Sequence, residues 1–284
     1  MIGCERILCP RSLDEALSLL AEQGEHVTVS GGGTDLFVAA RLHPKTPVIS
    51  ETLMCIRELP ELAEITLEQG VLSVGAGCTF SDIIDSDLIK EAAPLLVDAS
   101  LKIASPQIRA VATVGGNVMN ASPAGDALTA LVCLGATAVL AHKEDGEVCT
   151  RSIPVAQLVI GPRKTLRRPD ELLLRFKMPA YIGSRYVYEK VGLRSAMAIS
   201  VASAAILVEN TGQVHIALGS MSSKTVVNAD GERMAEKGDI PGAVQAMLSR
   251  CTPIDDIRAT AEYRMKVIRN ILARNLEQLL EVSL

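Results

Sequence analysis

Two glycine-bearing segments carry the residues of this chain that could do chemistry. The first is V-S-G-G-G-T-D-L at residues 29–36, and the second is T-V-G-G-N-V-M-N-A-S-P-A-G-D at residues 113–126. Consecutive glycines let the backbone approach a ligand closely, and free N–H groups in such a loop can bind phosphate. Two segments of this kind in one chain predict a ligand that carries two phosphate groups.

The first segment offers mainly backbone donors, with the hydroxyl of Thr34 as an extra donor. Asp35 is unexpected beside phosphate, and it could instead cap the turn that follows. The alternative interpretation is a tight turn between a strand and a helix, with no ligand. Because the second segment is also present, we predict that the whole first segment binds the ligand: Val29, Ser30, Gly31, Gly32, Gly33, Thr34, Asp35 and Leu36.

The overall composition excludes some classes of partner. Hydrophobic residues make up 48 % of the 284 residues, whereas aromatic residues make up only 2 % and Trp is absent. The core must therefore be built from Ala, Val, Leu and Ile. Few aromatic side chains means few stacking surfaces for bases, and a net charge of −5 without a basic stripe also disfavours nucleic acid. We predict no nucleic-acid partner.

The seven cysteines are scattered and form no C-x-x-C pair. They supply no iron–sulfur pattern, and the four histidines show no metal-ligand spacing, so no metal site is predicted. Reduced, buried thiols are typical of a cytoplasmic protein. The start of the chain does not resemble a signal peptide, and the longest weakly polar stretch, residues 127–141, is too short to span a bilayer. We therefore predict a cytoplasmic location and no membrane association.

The hydrophobic periodicity predicts an α+β chain. Ser12 and Glu15 form a capping box at the start of the first helix. Helices are predicted over residues 12–23, 79–89, 94–103, 126–134, 241–250 and 255–281. Strands are predicted over residues 26–29, 48–49, 64–67, 71–74, 137–142, 147–151, 171–177, 186–191, 198–208 and 213–218, with a turn between Pro44 and Pro47. The last three strands should form an antiparallel sheet after a domain boundary near residues 179–184.

With these loops in place, the chain resembles the FAD-binding subunit of the molybdenum hydroxylases, the family of xanthine dehydrogenases, aldehyde oxidases and carbon monoxide dehydrogenases. Both glycine segments resemble its FAD motifs in residues and spacing. G-P-R-K-T-L at 161–166 with P-D-E-L-L-L at 169–174 resembles the end of its FAD domain, and Y-E-K-V-G-L-R at 188–194 resembles the start of its C-terminal domain.

The resemblance implies a definite domain order. Residues 1–180 would form a two-subdomain FAD-binding fold of the vanillyl-alcohol-oxidase type, with residues 1–57 as the first subdomain and 58–180 as the second. Residues 181–284 would form a small C-terminal domain with a three-stranded antiparallel sheet and helices.

The resemblance also implies that FAD is the cofactor. Asp126 is acceptor-only when ionised and suits ribityl hydroxyls, although it could instead cap the helix that starts there. A cation at Lys190 could stabilise charge on a reduced flavin, or it could be a solvated residue of an edge strand. Residues expected to bind FAD beyond the first segment are Thr113, Gly115, Gly116, Asn117, Ser122, Asp126, Leu166 and Lys190.

The family resemblance implies a relay of electrons. A molybdenum centre would oxidise the substrate, [2Fe–2S] clusters would pass the electrons to FAD, and FAD would reduce NAD⁺ or another acceptor. This chain would therefore be one subunit, partnered by an iron–sulfur subunit and a molybdopterin-binding subunit. No catalytic side chain is predicted, because the redox chemistry is that of the flavin. The alternatives are a stand-alone FAD-dependent oxidase and a non-catalytic nucleotide-binding assembly module.

Overall fold

A computed structural model describes residues 3–42 and 48–280 of the chain. Its first part is a small parallel sheet with the strand order β1-β3-β2. The elements are β1 (Gly3–Leu8), α1 (Leu13–Gln23), β2 (Val27–Ser30), α2 (Thr34–Leu42) and β3 (Val48–Cys55). The predicted turn at Pro44 and Pro47 lies outside the described residues. Because the three strands are parallel, their carboxyl ends meet at one edge, and the first glycine segment leaves β2 at that edge.

The second part is an antiparallel sheet with the order β4-β5-β10-β6-β7 and a layer of helices. Its strands are β4 (Ile65–Glu68), β5 (Val71–Gly75), β6 (Thr137–Glu144), β7 (Glu147–Pro154) and β10 (Leu172–Pro179), beside a two-stranded ribbon of β8 (Val159–Gly161) and β9 (Lys164–Thr165). Its helices are α3 (Phe80–Asp85), α4 (Asp87–Ala92), α5 (Pro94–Leu101), α6 (Pro106–Arg109), α7 (Val114–Met119), α8 (Asp126–Cys133) and α9 (Val155–Leu158).

The third part is the predicted three-stranded antiparallel sheet, in the order β11-β12-β13, followed by helices. The elements are β11 (Arg185–Val191), β12 (Ala202–Val208), β13 (Val214–Gly219), α10 (Ala229–Glu236), α11 (Ile240–Leu248) and α12 (Ala261–Leu280). No helix among the described residues is long and apolar enough to cross a membrane.

Strand β12 joins the parts because both of its faces are buried. Successive side chains of a strand point to opposite faces. Ala205 and Leu207 pack in the core beneath the helices of the second part, whereas Ala204 and Ile206 pack against the C-terminal helices. A separate core places α1 between the first sheet and β10. The helix α8 of the second part, in which every residue is buried, packs between α5 and strands β12 and β13 of the third part.

Most predicted elements are confirmed, and the differences have local causes. The predicted helix 79–89 is wrong as a single helix, because the Ser86 hydroxyl accepts a hydrogen bond from the N–H of Ile89 and starts a new helix there. The predicted helix 255–281 begins later, because Asp256 accepts hydrogen bonds from Arg258 and Ala259 and fixes a loop. The elements that were not predicted are strands β1, β8 and β9 and helices α2, α6, α7, α9 and α10.

Candidate functional site

The two glycine segments touch each other. Thr113 is the N-cap of α7, and its hydroxyl accepts a hydrogen bond from the N–H of Gly116 at 3.1 Å. A Cβ at Gly31 would lie 2.7 Å from Oγ1 of Thr113, and a Cβ at Gly32 would lie 1.8 Å from the carbonyl oxygen of Val111. Glycine at these positions therefore allows the first loop to pack directly on the start of the second.

Between the two segments lies a cavity of about 490 Å³, which we call the loop cavity. This volume is typical of small-molecule sites. The whole first segment, Val29–Leu36, lines it, together with Thr113, Gly116 and Asn117 of the second segment. The structure thus brings together eleven of the sixteen residues predicted to bind FAD: Val29, Ser30, Gly31, Gly32, Gly33, Thr34, Asp35, Leu36, Thr113, Gly116 and Asn117.

The two glycines of the second segment have different surroundings. A Cβ at Gly115 would lie 2.6 Å from the carbonyl oxygen of Ala76, and Gly115 does not line the loop cavity. Gly116 lines the cavity, and outside its own helix backbone an added Cβ would have only Oγ1 of Thr113 within 4 Å. Gly115 is therefore required for packing, whereas Gly116 faces the space that a ligand would use.

Two polar side chains show what the loop cavity can bind. Asn117 lines the cavity, and among the described residues its Oδ1, which is buried near Gly125, has no hydrogen-bond partner. A buried acceptor without a partner is costly, so a hydrogen-bond donor that reached this atom would be stabilising. Asp35 is the second residue of α2, and its carboxylate accepts a hydrogen bond from Nδ2 of Asn120 at 3.0 Å. Part of the negative charge of Asp35 is thus engaged by a protein donor.

Asp126 and Lys190 form a buried pair between α8 and β11. The two carboxylate oxygens of Asp126 accept hydrogen bonds from the hydroxyl of Tyr188 at 2.7 Å and from Nζ of Lys190 at 2.6 Å. Burial raises the pKa of Asp126, and Lys190 and Tyr188 oppose that rise. Asp126 is the first residue of α8 and Gly125 is the N-cap, so the alternative of a capping role is wrong.

Lys190 also donates to the backbone carbonyl of Lys102 at 3.0 Å, and its side chain is only 7 % exposed. The alternative of a solvated lysine is therefore wrong, although β11 is an edge strand of its sheet. Lys190 lines a second cavity of about 570 Å³ together with Arg109 and Arg194. Ala104 lines both cavities, so the second cavity adjoins the loop cavity.

Ser122 and Leu166 line neither of these cavities. The hydroxyl of Ser122 accepts a hydrogen bond from the N–H of Ala124, and the carbonyl of Leu166 accepts one from Arg151. Contact with FAD stays a prediction for all sixteen residues, and these two, with Gly115 and Asp126, do not line the cavities. Conversely, Asn120 and Arg163 line the loop cavity and were not predicted. Both lie in segments that carry the family resemblance, and that resemblance could have indicated them as site residues.

One group of possible metal ligands was also missed. His142 and Cys149 are paired across the β6–β7 hairpin, and with Glu144 they place one donor atom each within 4.8 Å of one another. The sequence predicted the β6–β7 hairpin, and its strand register could have indicated that His142 lies opposite Cys149. Among the described residues no fourth protein ligand joins the group, and Glu144 is exposed, so we assign no metal to it.

Two family models cover this chain almost from end to end. Residues 3–181 match the FAD binding domain in molybdopterin dehydrogenase, and residues 187–279 match the CO dehydrogenase flavoprotein C-terminal domain. This chain belongs to the molybdopterin dehydrogenase flavoprotein family. It binds FAD and is a flavoprotein subunit of an oxidoreductase, as the family resemblance implied.

Similar proteins agree with this assignment along nearly their whole length. The carbon monoxide dehydrogenase medium chain of Hydrogenophaga pseudoflava is 27 % identical, over 94 % of this chain and 94 % of that protein. The xanthine dehydrogenase FAD-binding subunit of Escherichia coli O157:H7 is 28 % identical, over 92 % of this chain and 90 % of that protein. The solved structure of reconstituted CO dehydrogenase from Oligotropha carboxidovorans matches with a TM-score of 0.89 and 27 % identity, over 99 % of each chain. The predicted FAD-binding fold is confirmed.

Proposed function

We propose that this chain relays electrons from a [2Fe–2S] subunit through FAD to NAD⁺ or another acceptor, as part of a larger molybdenum hydroxylase. The observation that carries the proposal is the meeting of both glycine segments at one cavity, which the side chain of Asn117 also lines. A second cavity that holds Lys190 adjoins it. A dinucleotide is long enough to need binding groups at both ends.

The residues of the loop cavity fit the diphosphate and the hydroxyl groups of FAD. Backbone N–H groups at Gly32 and Gly33 precede the nine-residue helix α2, whose N-terminus favours negative charge, and the Thr34 hydroxyl adds a donor. The amide of Asn117, which lines the loop cavity, would form a hydrogen bond with a hydroxyl of the cofactor. Bound FAD supplies the capacity to accept and release electrons, and the protein binds and orients it.

In this proposal Lys190 places a positive charge beside the flavin, where it favours the reduced form. Asp126 acts as a positioning residue, because its carboxylate holds Nζ of Lys190 at 2.6 Å. Each oxygen of Asp126 accepts one hydrogen bond and keeps a further lone pair that a ribityl hydroxyl could use. Lys190, unlike Asp126, lines the second cavity, so in this proposal it is the member of the pair that faces the flavin.

The proposed partners are a [2Fe–2S] subunit and a molybdopterin-binding subunit. The names of the relatives as a medium chain and as a FAD-binding subunit support an assembly of several chains. Exposed apolar side chains beside the second cavity, at Leu101, Leu193 and Met197, offer a surface for such a partner.

The test compares this chain alone with the chain mixed with separately purified iron–sulfur and molybdopterin subunits. We expect the isolated chain to hold FAD and to oxidise neither purines nor aldehydes. In the mixture, substrate should reduce the flavin, seen as bleaching near its visible absorbance maximum, and NAD⁺ should then be reduced. The matched control is the same mixture without this chain.

Three other outcomes would contradict parts of the proposal. Oxidation of a purine or aldehyde by the isolated chain would support a stand-alone oxidase. Reduction of a dye but not of NAD⁺ would remove NAD⁺ as the acceptor. Failure to bind added FAD would support a non-catalytic assembly module.

A further inference from the structure

Among the described residues that line the loop cavity, Arg163 is the only cation. The only acidic residue there is Asp35, and Asn120 donates a hydrogen bond to its carboxylate. The backbone donors of the glycine segments carry only partial positive charge. A ligand with two negatively charged phosphates would therefore find a single full positive charge, that of Arg163, in this cavity.

The backbone of Arg163 has an unusual conformation for an arginine. Its φ angle is +57°, in the left-handed region that favours glycine. Its N–H donates to the carbonyl of Ala121 at 3.1 Å, and Ala121 itself has a φ of +48°. Left-handed backbone at residues other than glycine costs free energy and is frequent at ligand sites. The hydrogen bond to Ala121 fixes Arg163 beside the second glycine segment.

The guanidinium is still available to a ligand. Nη1 of Arg163 donates to Oδ1 of Asn120 over a long distance of 3.4 Å, and Nδ2 of the same Asn120 holds Asp35. An arginine has five N–H donors, and a planar guanidinium can bind phosphate with two parallel hydrogen bonds. Asn120 thus connects Arg163 with the first residues of α2 across the cavity.

We propose that Arg163 binds the diphosphate of FAD and that Asn120 steers its guanidinium into the loop cavity. This inference rests on the proposed FAD site and names a residue that decides affinity for the diphosphate half of the ligand. In this assignment the side chain of Arg163 supplies the counter-charge from a position whose backbone, with φ of +57°, favours glycine.

The positive φ makes Arg163→Gly an informative variant. Glycine adopts this backbone without strain, so the protein without FAD should unfold at the same temperature as the parent or at a higher one. Its affinity for the diphosphate should nevertheless fall. Lys164→Ala is the matched control, because it removes a neighbouring exposed positive charge from a residue that does not line the loop cavity. Arg163→Gln is a second variant that keeps side-chain length and removes the charge.

The experiment titrates the FAD-free full chain with FAD, ADP and riboflavin, and follows ligand fluorescence or heat at one fixed ionic strength. Loss of a hydrogen-bonded charge should weaken FAD and ADP by similar factors in Arg163→Gly and Arg163→Gln, roughly tenfold to a hundredfold. Riboflavin, which has no phosphate, should bind all variants alike. Lys164→Ala should bind all three ligands within about twofold of the parent.

Two results would overturn the assignment. The first is equal binding of FAD and ADP by Arg163→Gly, Arg163→Gln and Lys164→Ala. The second is an equal loss of riboflavin binding, because it would mean that the whole site is disturbed. A parent chain that binds no FAD would instead contradict the proposed function itself, and the assignment of Arg163 with it.

Discussion

Alanine at Gly32 and alanine at Gly116 should separate packing from ligand binding. A Cβ at Gly32 would lie 1.8 Å from the carbonyl oxygen of Val111 and 2.6 Å from its carbonyl carbon, so the backbone would have to move. A Cβ at Gly116 would meet only Oγ1 of Thr113, at 2.9 Å. The first methyl group therefore collides with backbone, whereas the second presses only on one side-chain hydroxyl, at a residue that lines the loop cavity.

The magnitudes follow from these contacts. Overpacking costs about 1–3 kcal/mol, and Gly32→Ala should lie near the upper end because a backbone carbonyl cannot rotate away. For a chain of 284 residues the unfolding entropy is about 0.6 kcal/mol/K, so a loss near 3 kcal/mol lowers Tm by about 5 °C. In Gly116→Ala, a gain in helix propensity of about 1 kcal/mol offsets the contact with Thr113, so Tm should change little. The Kd for FAD should rise about tenfold to a hundredfold, equivalent to about 1.4–2.8 kcal/mol.

The assay measures Tm of the FAD-free proteins by scanning calorimetry and Kd by quenching of FAD fluorescence. We expect Gly32→Ala to lose stability and Gly116→Ala to lose affinity. An unchanged Tm in Gly32→Ala would show that the two segments do not pack as described. Parental affinity in Gly116→Ala would refute the claim that the second segment faces the ligand.

Two further predictions concern buried charges. Asp126→Ala leaves the ammonium of Lys190 buried without its carboxylate, and should lower the free energy of unfolding, measured with urea, by about 3–5 kcal/mol. Asp126→Asn keeps a hydrogen-bond acceptor and should lower it by less. Equal losses in the two variants would contradict the buried pair. Burial alone would raise the pKa of Glu171, but Arg151 and the backbone N–H of Arg168 hold it below the ordinary 4.5. The stabilising effect of Glu171 is therefore complete above pH 4.5 and is lost as the pH falls below it. The free energy of unfolding, measured from pH 3 to 7, should therefore fall less steeply at acid pH in Glu171→Gln than in the parent. The same pH dependence in both proteins would contradict this role of Glu171.

The parts of the fold that could be predicted depend on neighbouring residues. Gln69 and Gly70 have φ angles of +50° and +77°, and Asp145 and Gly146 have +51° and +84°, as the tight hairpin turns required. The glycine segments could be located for the same reason, because consecutive glycines allow close backbone approach within the segment itself and do not depend on distant residues.

The parts that could not be predicted depend on residues far apart in the sequence. Strand β1 is defined by its pairing with β3, across more than forty residues. Asp126 meets Lys190 at a separation of 64 residues, and Asn120 meets Asp35 at a separation of 85. From the sequence, Asp126 suited a ligand hydroxyl or a helix cap, because nothing local shows that its carboxylate is shared with Lys190 and Tyr188.

Hydrogen–deuterium exchange with and without FAD tests most directly whether both glycine segments hold one ligand. FAD at saturating concentration should slow amide exchange in residues 29–36 and in residues 113–117. The β6–β7 hairpin around Asp145 and Gly146 is the internal reference and should not change. Protection confined to one segment, or to neither while FAD is bound, would contradict the shared site.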